Sequence, residues 1–475
     1  MIKRISTLLA SLALVVACSD STSVTDLNNV SAETLKGGLN PATAQLLVTG
    51  LLNQYRNSAI GFYVVFPETM ARDAYRLDKA DPRFITEMIG AVQPDAGAFT
   101  GGGVFTGFFV GIRSANTLIG AVKNATDASG VSAPQRSALL GLARTMKALN
   151  YWNIMETRDS TGMPIDLDRD INAEAPPWVC KPNVLAYVSA LLDTAAVDLA
   201  AGGSAFPVTL SSGYGAVAGT PAGFLKFNRG IKAKVELYRG LSRQAGTGAA
   251  GFNNAIAALN ASFMQSTDLS ADGLALAVAE TYSTASGETS SALVDAALHL
   301  NPAVSDSMQA GDRRGAKIVR AAAPYSATYG GTTVSTPFDY AFSLGSTSLT
   351  HPLPILKNEE LLLLRAQAAI ELNDLATART YLNFVRVNSG GLAPYGAFAS
   401  QAEARNALLY EKRYSLLMEG PQRLVDLRAY SRLNATNFHA GTPSSPIPGD
   451  VFTSALPIPK AETDARGGSV ALTCN

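Results

Sequence analysis

Between Leu356 and Arg432 apolar residues recur at helical spacing, and the rest of the chain reads as support for this stretch. Asn358 can cap a helix whose first turn carries Glu359 and Glu360, where negative charge suits the helix dipole. Leu361, Leu362, Ala366, Ala369 and Ile370 follow along it, and Asn373 and Asp374 interrupt the pattern. Asp374 can then cap a second helix through Ala378, Leu382 and Val385. Ala366, Ala378 and Leu382 match the small-small-large offsets of a tetratricopeptide hairpin, whose helices approach closely. A second pair follows. Glu403 to Met418 reads as a helix stopped at Gly420, and Pro421 suits the first turn of the next, through Leu424, Leu427 and Arg428.

The N-terminal half carries the same periodicity. Pro41 to Ala59 presents Leu46, Leu47, Leu51 and Tyr55 along one side, and Gly101 to Gly103 open a helix with Phe105, Phe108, Phe109, Ile112 and Ile119. Ser132 and Gln135 form a capping box ahead of Leu139, Leu142, Met146, Leu149 and Asn153. Helices continue over Val184–Leu199, Phe224–Leu241 and Asn253–Met264. Two stretches break the pattern. Glu68 to Arg83 is irregular and of mixed charge, with Arg72, Asp73, Arg76, Asp78, Lys79 and Asp81. From Asp268 to His351 Gly, Ser, Thr and Tyr dominate, which predicts an irregular segment with short strands or turns. The expected architecture is mostly α. Helical regions at 41–265 and 352–475 flank a loop-rich segment at 266–351, with 25–475 forming one compact body. That is fewer domains than the roughly three suggested by length.

The first residues follow another logic. Lys3 and Arg4 precede an apolar run from Ile5 to Val16 that is too short to span a bilayer. Val15-Val16-Ala17-Cys18 looks like a bacterial lipobox, so residues 1–17 read as a signal peptide. Cys18 reads as the acylated (palmitate-bearing) N-terminus, followed by a polar tether to residue 40. Export leaves Cys180 and Cys474 as a candidate disulfide, and two distant Cys with three His argue against zinc. Lys+Arg and Asp+Glu both number 38 and no basic stripe stands out, so nucleic-acid binding lacks its electrostatic footprint.

Most chemical motifs are weak. Gly246-Thr247-Gly248-Ala249-Ala250-Gly251 has dinucleotide-loop spacing but follows a helix where the motif needs a strand, so it reads as a connection and no cofactor is expected. Asp166, Asp168 and Asp170 begin like a calcium loop, but Ile171 and Pro177 stand where glycine and glutamate belong, leaving only a looser oxygen site. His299, His351 and His439 stand apart, and no catalytic signature of a hydrolase is present. The charged run from Glu411 to Arg428 reads as a solvated face or an ion-pair network. Sugar rings stack on aromatic faces, so loop aromatics are the ligand candidates: Tyr75, Phe84, Trp178, Tyr282, Tyr325, Tyr329 and Tyr340. Trp178, after Pro176-Pro177, leads them, and Trp152 is assigned to the core.

Three separated motifs carry a resemblance. The hairpin ending in Asn383-Phe384-Val385-Arg386, the segment Glu419-Gly420-x-x-Arg423-x-x-Asp426-Leu427-Arg428, and Leu456-Pro457-Ile458-Pro459-Lys460-Ala461-Glu462 resemble the C-terminal half of the SusD/RagB family. Asn116 to Ile119 and Ala143 to Ile165 resemble its N-terminal half. Ser415 and Lys460 depart from the family's usual residues at positions that look structural. The resemblance implies a tetratricopeptide-like α/α superhelix with a loop-borne ligand site. It also implies a non-enzymatic outer-membrane lipoprotein facing outward, which hands an oligosaccharide, or second a peptide, to a SusC-like TonB-dependent β-barrel. The alternatives are a tetratricopeptide envelope adaptor and, behind it, a surface hydrolase.

Overall fold

The computed structural model describes residues 38–473 except 60, 91, 170–172, 243–246, 342–347, 439–445 and 448. Cys18, Asp170, His439 and Cys474 therefore lie outside the described residues. Within them, local capping signals set several helix starts. Ser132 Oγ accepts from the Gln135 amide while Gln135 Oε1 accepts from the Ser132 amide at 2.9 Å, the expected capping box. Asp374 Oδ1 accepts from the Thr377 amide at 3.1 Å. Asn358 is a correction. It is the first helical residue, not the cap, and its amide instead ties down a distant loop: Oδ1 accepts from the Gln265 amide and Nδ2 donates to the Gly273 carbonyl.

In the first half the helices are α1 (Pro41–Ala59), α2 (Phe62–Met70), α3 (Arg83–Thr86), α4 (Thr106–Lys123), α5 (Ala133–Arg158), α6 (Lys181–Ala200), α7 (Ser212–Ala218), α8 (Pro221–Leu241) and α9 (Gly248–Asn260). The middle segment holds α10 (Ala271–Ala275) and α11 (Pro302–Asp306), and the last third holds α12 (Asn358–Glu371), α13 (Leu375–Asn388), α14 (Gln401–Ser415), α15 (Gln422–Ala429) and α16 (Lys460–Asp464). Strands are few: β1 (Ala74–Arg76), β2 (Met163–Pro164), β3 (Trp178–Val179), β4 (Ala277–Glu280), β5 (Leu298–Leu300), β6 (Ile318–Tyr329), β7 (Thr332–Tyr340), β8 (Leu353–Lys357) and β9 (Leu472–Thr473). The fold is mostly α, as expected. Sequential helices pack as antiparallel neighbours, α5 on α6, α8 on α9 and α12 on α13.

Three expectations need revising. Phe62 to Met70 is helical although it ran into the stretch read as irregular, because Tyr63, Val64, Val65 and Phe66 are all buried. Gly420 does not end α14. That helix stops at Ser415, and Met418 and Gly420 both take positive φ, 61° and 145°, as the chain turns into α15. The 266–351 segment contains a hairpin longer than the short strands predicted: β6 pairs antiparallel with β7, with a register shift between Arg320 and Tyr325.

Two cores result. The larger draws on every region, and the smaller lies among α12, α13 and α14 around Leu362, Leu363, Ile370, Leu382 and Leu408. Helix α12 separates them, sending Leu361 and Leu364 one way and Leu362 and Leu363 the other, so it is buried nearly all round. Helix α6 is apolar enough by length and composition to cross a membrane, but Val184, Val188 and Leu192 are fully buried in the larger core. Where α8 crosses α9, glycine meets glycine. A Cβ on Gly251 would lie 2.7 Å from the Gly240 nitrogen and 2.8 Å from the Glu236 carbonyl. Gly251→Val is therefore expected to destabilise the fold by about 1–3 kcal/mol or more, read as a lower midpoint in urea unfolding.

Candidate functional site

The mixed-charge stretch from Arg72 to Arg83 divides by the direction its side chains take. Arg72 is fully buried, donating to the Met88 carbonyl and pairing with Asp450 at 3.1 Å, and Asp73 is held by Arg413 at 2.6 Å. These two fasten the stretch from beneath. Strand β1 pairs with β5, and the Leu77 amide donates to the Ala297 carbonyl, which continues the fastening outward. Beyond it, Arg76, Asp78, Asp81 and Arg83 turn to a surface cleft of about 470 Å³ that Phe62, Phe84, Phe99 and Asp295 also line.

Aromatic packing forms the cleft floor. Phe62 stacks on Phe66 with centroids 4.7 Å apart and meets Phe99 edge-on at 5.6 Å, while Phe84 and Phe99 make a T-shaped pair at 4.8 Å. Guanidiniums cover two of the rings: Arg76 Cζ lies 4.0 Å above the Phe84 centroid and Arg83 Cζ 4.1 Å above that of Phe99. Phe62 is left with 39% of its surface exposed, the one phenyl ring among the exposed large hydrophobic residues described.

The polar rim is held by ion pairs. Arg76 Nε donates to Asp295 at 2.8 Å and Nη1 to Asp78 at 2.7 Å. Arg83 grips Asp81 through Nε at 2.8 Å and Nη2 at 2.7 Å, a bidentate pair. The slight desolvation of Asp78 is outweighed by the amides of Ala80 and Asp81 and by Arg76, so its carboxyl titrates below the usual range. The Arg83 hydrogen bonds likewise hold Asp81 down. Such a cleft offers an apolar platform edged by fixed carboxylates and guanidiniums. That combination suits a ring with one apolar face and hydroxyl groups at its edge.

The predicted ligand residues fare differently. Trp178 is 1% exposed, and its Nε1 donates to the Thr161 carbonyl at 2.7 Å while its ring lies parallel to Phe105. It anchors its own loop. Tyr75, Tyr282, Tyr329 and Tyr340 are buried by strand pairing or by the larger core, so none presents a ring face to a ligand. Tyr325 is half-buried and stacked on His299 at 4.1 Å. Tyr329 reaches the cleft indirectly, its hydroxyl donating to the Asp78 carbonyl. Asp166 and Asp168 are exposed and Asp166 pairs with Arg169 at 3.3 Å; no group of three metal-ligating residues occurs among the described residues. Cys180 is disulfide-bonded, and β3 runs parallel to β9 with Trp178 beside Leu472 and Val179 beside Thr473. Of the cleft, the sequence had marked Phe84, Arg76, Asp78 and Asp81; Asp295 and Phe62 were missed, the only signal for Phe62 being its place directly after Gly61.

Comparison with solved structures decides the fold. A SusD superfamily protein from Parabacteroides distasonis superposes with a TM-score of 0.67 at 13% identity, over 94% of this chain and 99% of that one. A SusD superfamily protein from Bacteroides fragilis gives 0.63 at 16% identity, over 82% and 88%. The surface glycan-binding protein A of Bacteroides fluxus gives 0.61 at 15%, over 89% and 97%. The chain has the SusD fold. No protein-family model and no curated protein matches it by sequence. In this SusD-fold chain the cleft opens where the fold's helical body meets the 266–351 segment, through Ala292 and Asp295.

For a ring-bearing ligand that stacks in this cleft, Phe62→Ala is expected to cost about 0.5–1.5 kcal/mol of affinity, the worth of one aromatic contact, read by titration calorimetry. The pH dependence is fixed in sign. Asp78 and Asp81 titrate lower folded than unfolded, so the stabilisation they give is complete above about pH 4 and fades as pH falls through their folded values. Rim-dependent binding should therefore be flat between about pH 5 and pH 8 and decline only in acid.

Proposed function

We propose that this chain is a SusD/RagB-family lipoprotein of the outer membrane. In this reading it captures an oligosaccharide at the surface and passes it to a SusC-like TonB-dependent β-barrel. The observation that carries the reading is the exposed Phe62 ring, set in a cleft whose other two phenyl faces are already covered by guanidiniums. Support comes also from the SusD fold, from relatives of that fold described as carbohydrate- or glycan-binding, and from the lipobox ending at Cys18.

Binding without catalysis fits the electrostatics of the cleft. A glycosidase needs one carboxyl kept protonated near neutral pH, by burial or by a neighbouring charge. Asp78 and Asp81 are pushed the other way, by amides and arginines. Burial does raise Glu280, to about 7, but that side chain is 1% exposed and bonded to the Tyr214 hydroxyl, out of reach of a polymer.

The experiment is a mild-detergent purification from outer membranes beside a Cys18→Ala control. The expected result is a TonB-dependent barrel recovered in stoichiometric amount with the wild type, and neither protein enriched from membranes with the control. Recovery of soluble envelope proteins without a barrel would replace the import reading with that of an adaptor.

A further inference from the structure

Outside the cleft, α11, α14 and α15 enclose a groove of about 290 Å³, near the lower end of ligand-pocket sizes of ~300–1,000 Å³. Three arginines line it: Arg413, Arg423 and Arg432. Among the described residues no carboxylate lines it, and Ser307, Asn437 and the rings of Tyr410 and Tyr414 complete its wall. The tyrosine hydroxyls point away, donating to Asp312 and to the Val304 carbonyl.

The carboxylate beneath the groove pairs with its arginines unequally. Asp73 supplies one carboxylate, and Arg413 takes it through Nε and Nη2 at 3.0 and 2.6 Å. Arg423 reaches the same carboxylate only at 3.7 Å, beyond hydrogen-bonding distance, and its Nε has no partner among the described residues. Arg432 is held by the neutral Asn406 at 2.5 Å. Glu68 lies nearby, its carboxyl raised by burial and then by Asp73, and its Oε1 accepts from the Met418 amide rather than from an arginine. A guanidinium that is 16% exposed and lacks a hydrogen-bonded counter-charge is costly unless something from solution pairs with it.

We propose that this groove binds an oxyanion, a sulfate or phosphate, either free or carried as a substituent on a sugar. The planar forks of Arg423 and Arg432 match the paired oxygens of such a group. The groove is larger than the anion itself, which leaves room for the ring bearing it. The site is distinct from the Phe62 cleft in every lining residue.

The test is titration calorimetry on the whole chain with sodium sulfate, sodium phosphate and glucose 6-sulfate, at constant ionic strength in chloride. Saturable binding of at least one is expected. It should be about tenfold weaker in Arg432→Gln and weaker still in Arg423→Gln, each lost charge-assisted hydrogen bond being worth at least one factor of ten. Thermal unfolding checks that Arg423→Gln folds; should it not, Arg432→Gln at the rim carries the test. Tighter binding of the sugar sulfate than of sulfate identifies a substituent on a glycan, and equal affinity identifies a free anion. No saturable binding of any probe, or unchanged affinity in the folded variant, overturns the proposal.

Discussion

Charge buried at a helix crossing must be neutralised by a group from another segment, and this requirement fixes how the two halves of the chain meet. Glu411 is fully buried and takes Arg314 at 2.7 Å and Arg386 at 3.0 Å. Lys412 pairs with Asp426 at 2.7 Å, and Lys234 sits between Glu156 and Glu360 at 3.2 and 3.1 Å. Lys357 joins Glu359 to Glu419. Desolvating each ion costs several kcal/mol, so such pairs add little net stability, but removing one partner strands the other and costs about 3–5 kcal/mol. Their effect is on register. The charged run from Glu411 to Arg428 is therefore a buried network, and helices that miss their partners by one turn would bury bare charge.

The same network reaches the cleft. Arg413, on the helix beside Glu411 and Lys412, holds Asp73, and the Asn301 amide donates to the Asp73 carbonyl at 2.9 Å. The Met418 amide donates to Glu68 at 3.1 Å across 350 residues of sequence. A stretch that would otherwise be an irregular loop is thus pinned at its base by the C-terminal helices, while Arg76 to Arg83 stays open above. Burial alone would raise Glu359, but Lys357 and then Lys317 hold it at about 2. Its folded value lies below the unfolded one, so its contribution is intact above about pH 4 and disappears as pH falls through about 2.

Helices were legible because their signals are local. The box at Ser132 and Gln135, the cap at Asp374 and the close packing implied by Ala366 and Ala378 need only neighbouring residues to act. Cleft residues were half legible. Arg76, Asp78 and Asp81 stood out as mixed charge in a break of periodicity, but nothing local separates them from Arg72 and Asp73, which turn inward to Asp450 and Arg413. The tyrosines misled for the same reason. Tyr75 is covered when β1 finds β5, more than 220 residues on, and Tyr329 and Tyr340 when β6 finds β7. Trp178 followed two prolines and looked exposed; pairing with β2 and β9 buries it.

The account stands on one claim, that ligand is held where Phe62 faces the arginine–aspartate rim. Hydrogen–deuterium exchange with and without a bound oligosaccharide tests it most directly, because it maps protection without altering any residue. Slowed exchange confined to Phe62–Val65, Arg76–Phe84 and Ala292–Asp295 is the expected result. Protection elsewhere, for instance around Trp152, Tyr238 and Arg428, with those three segments unchanged, would contradict it.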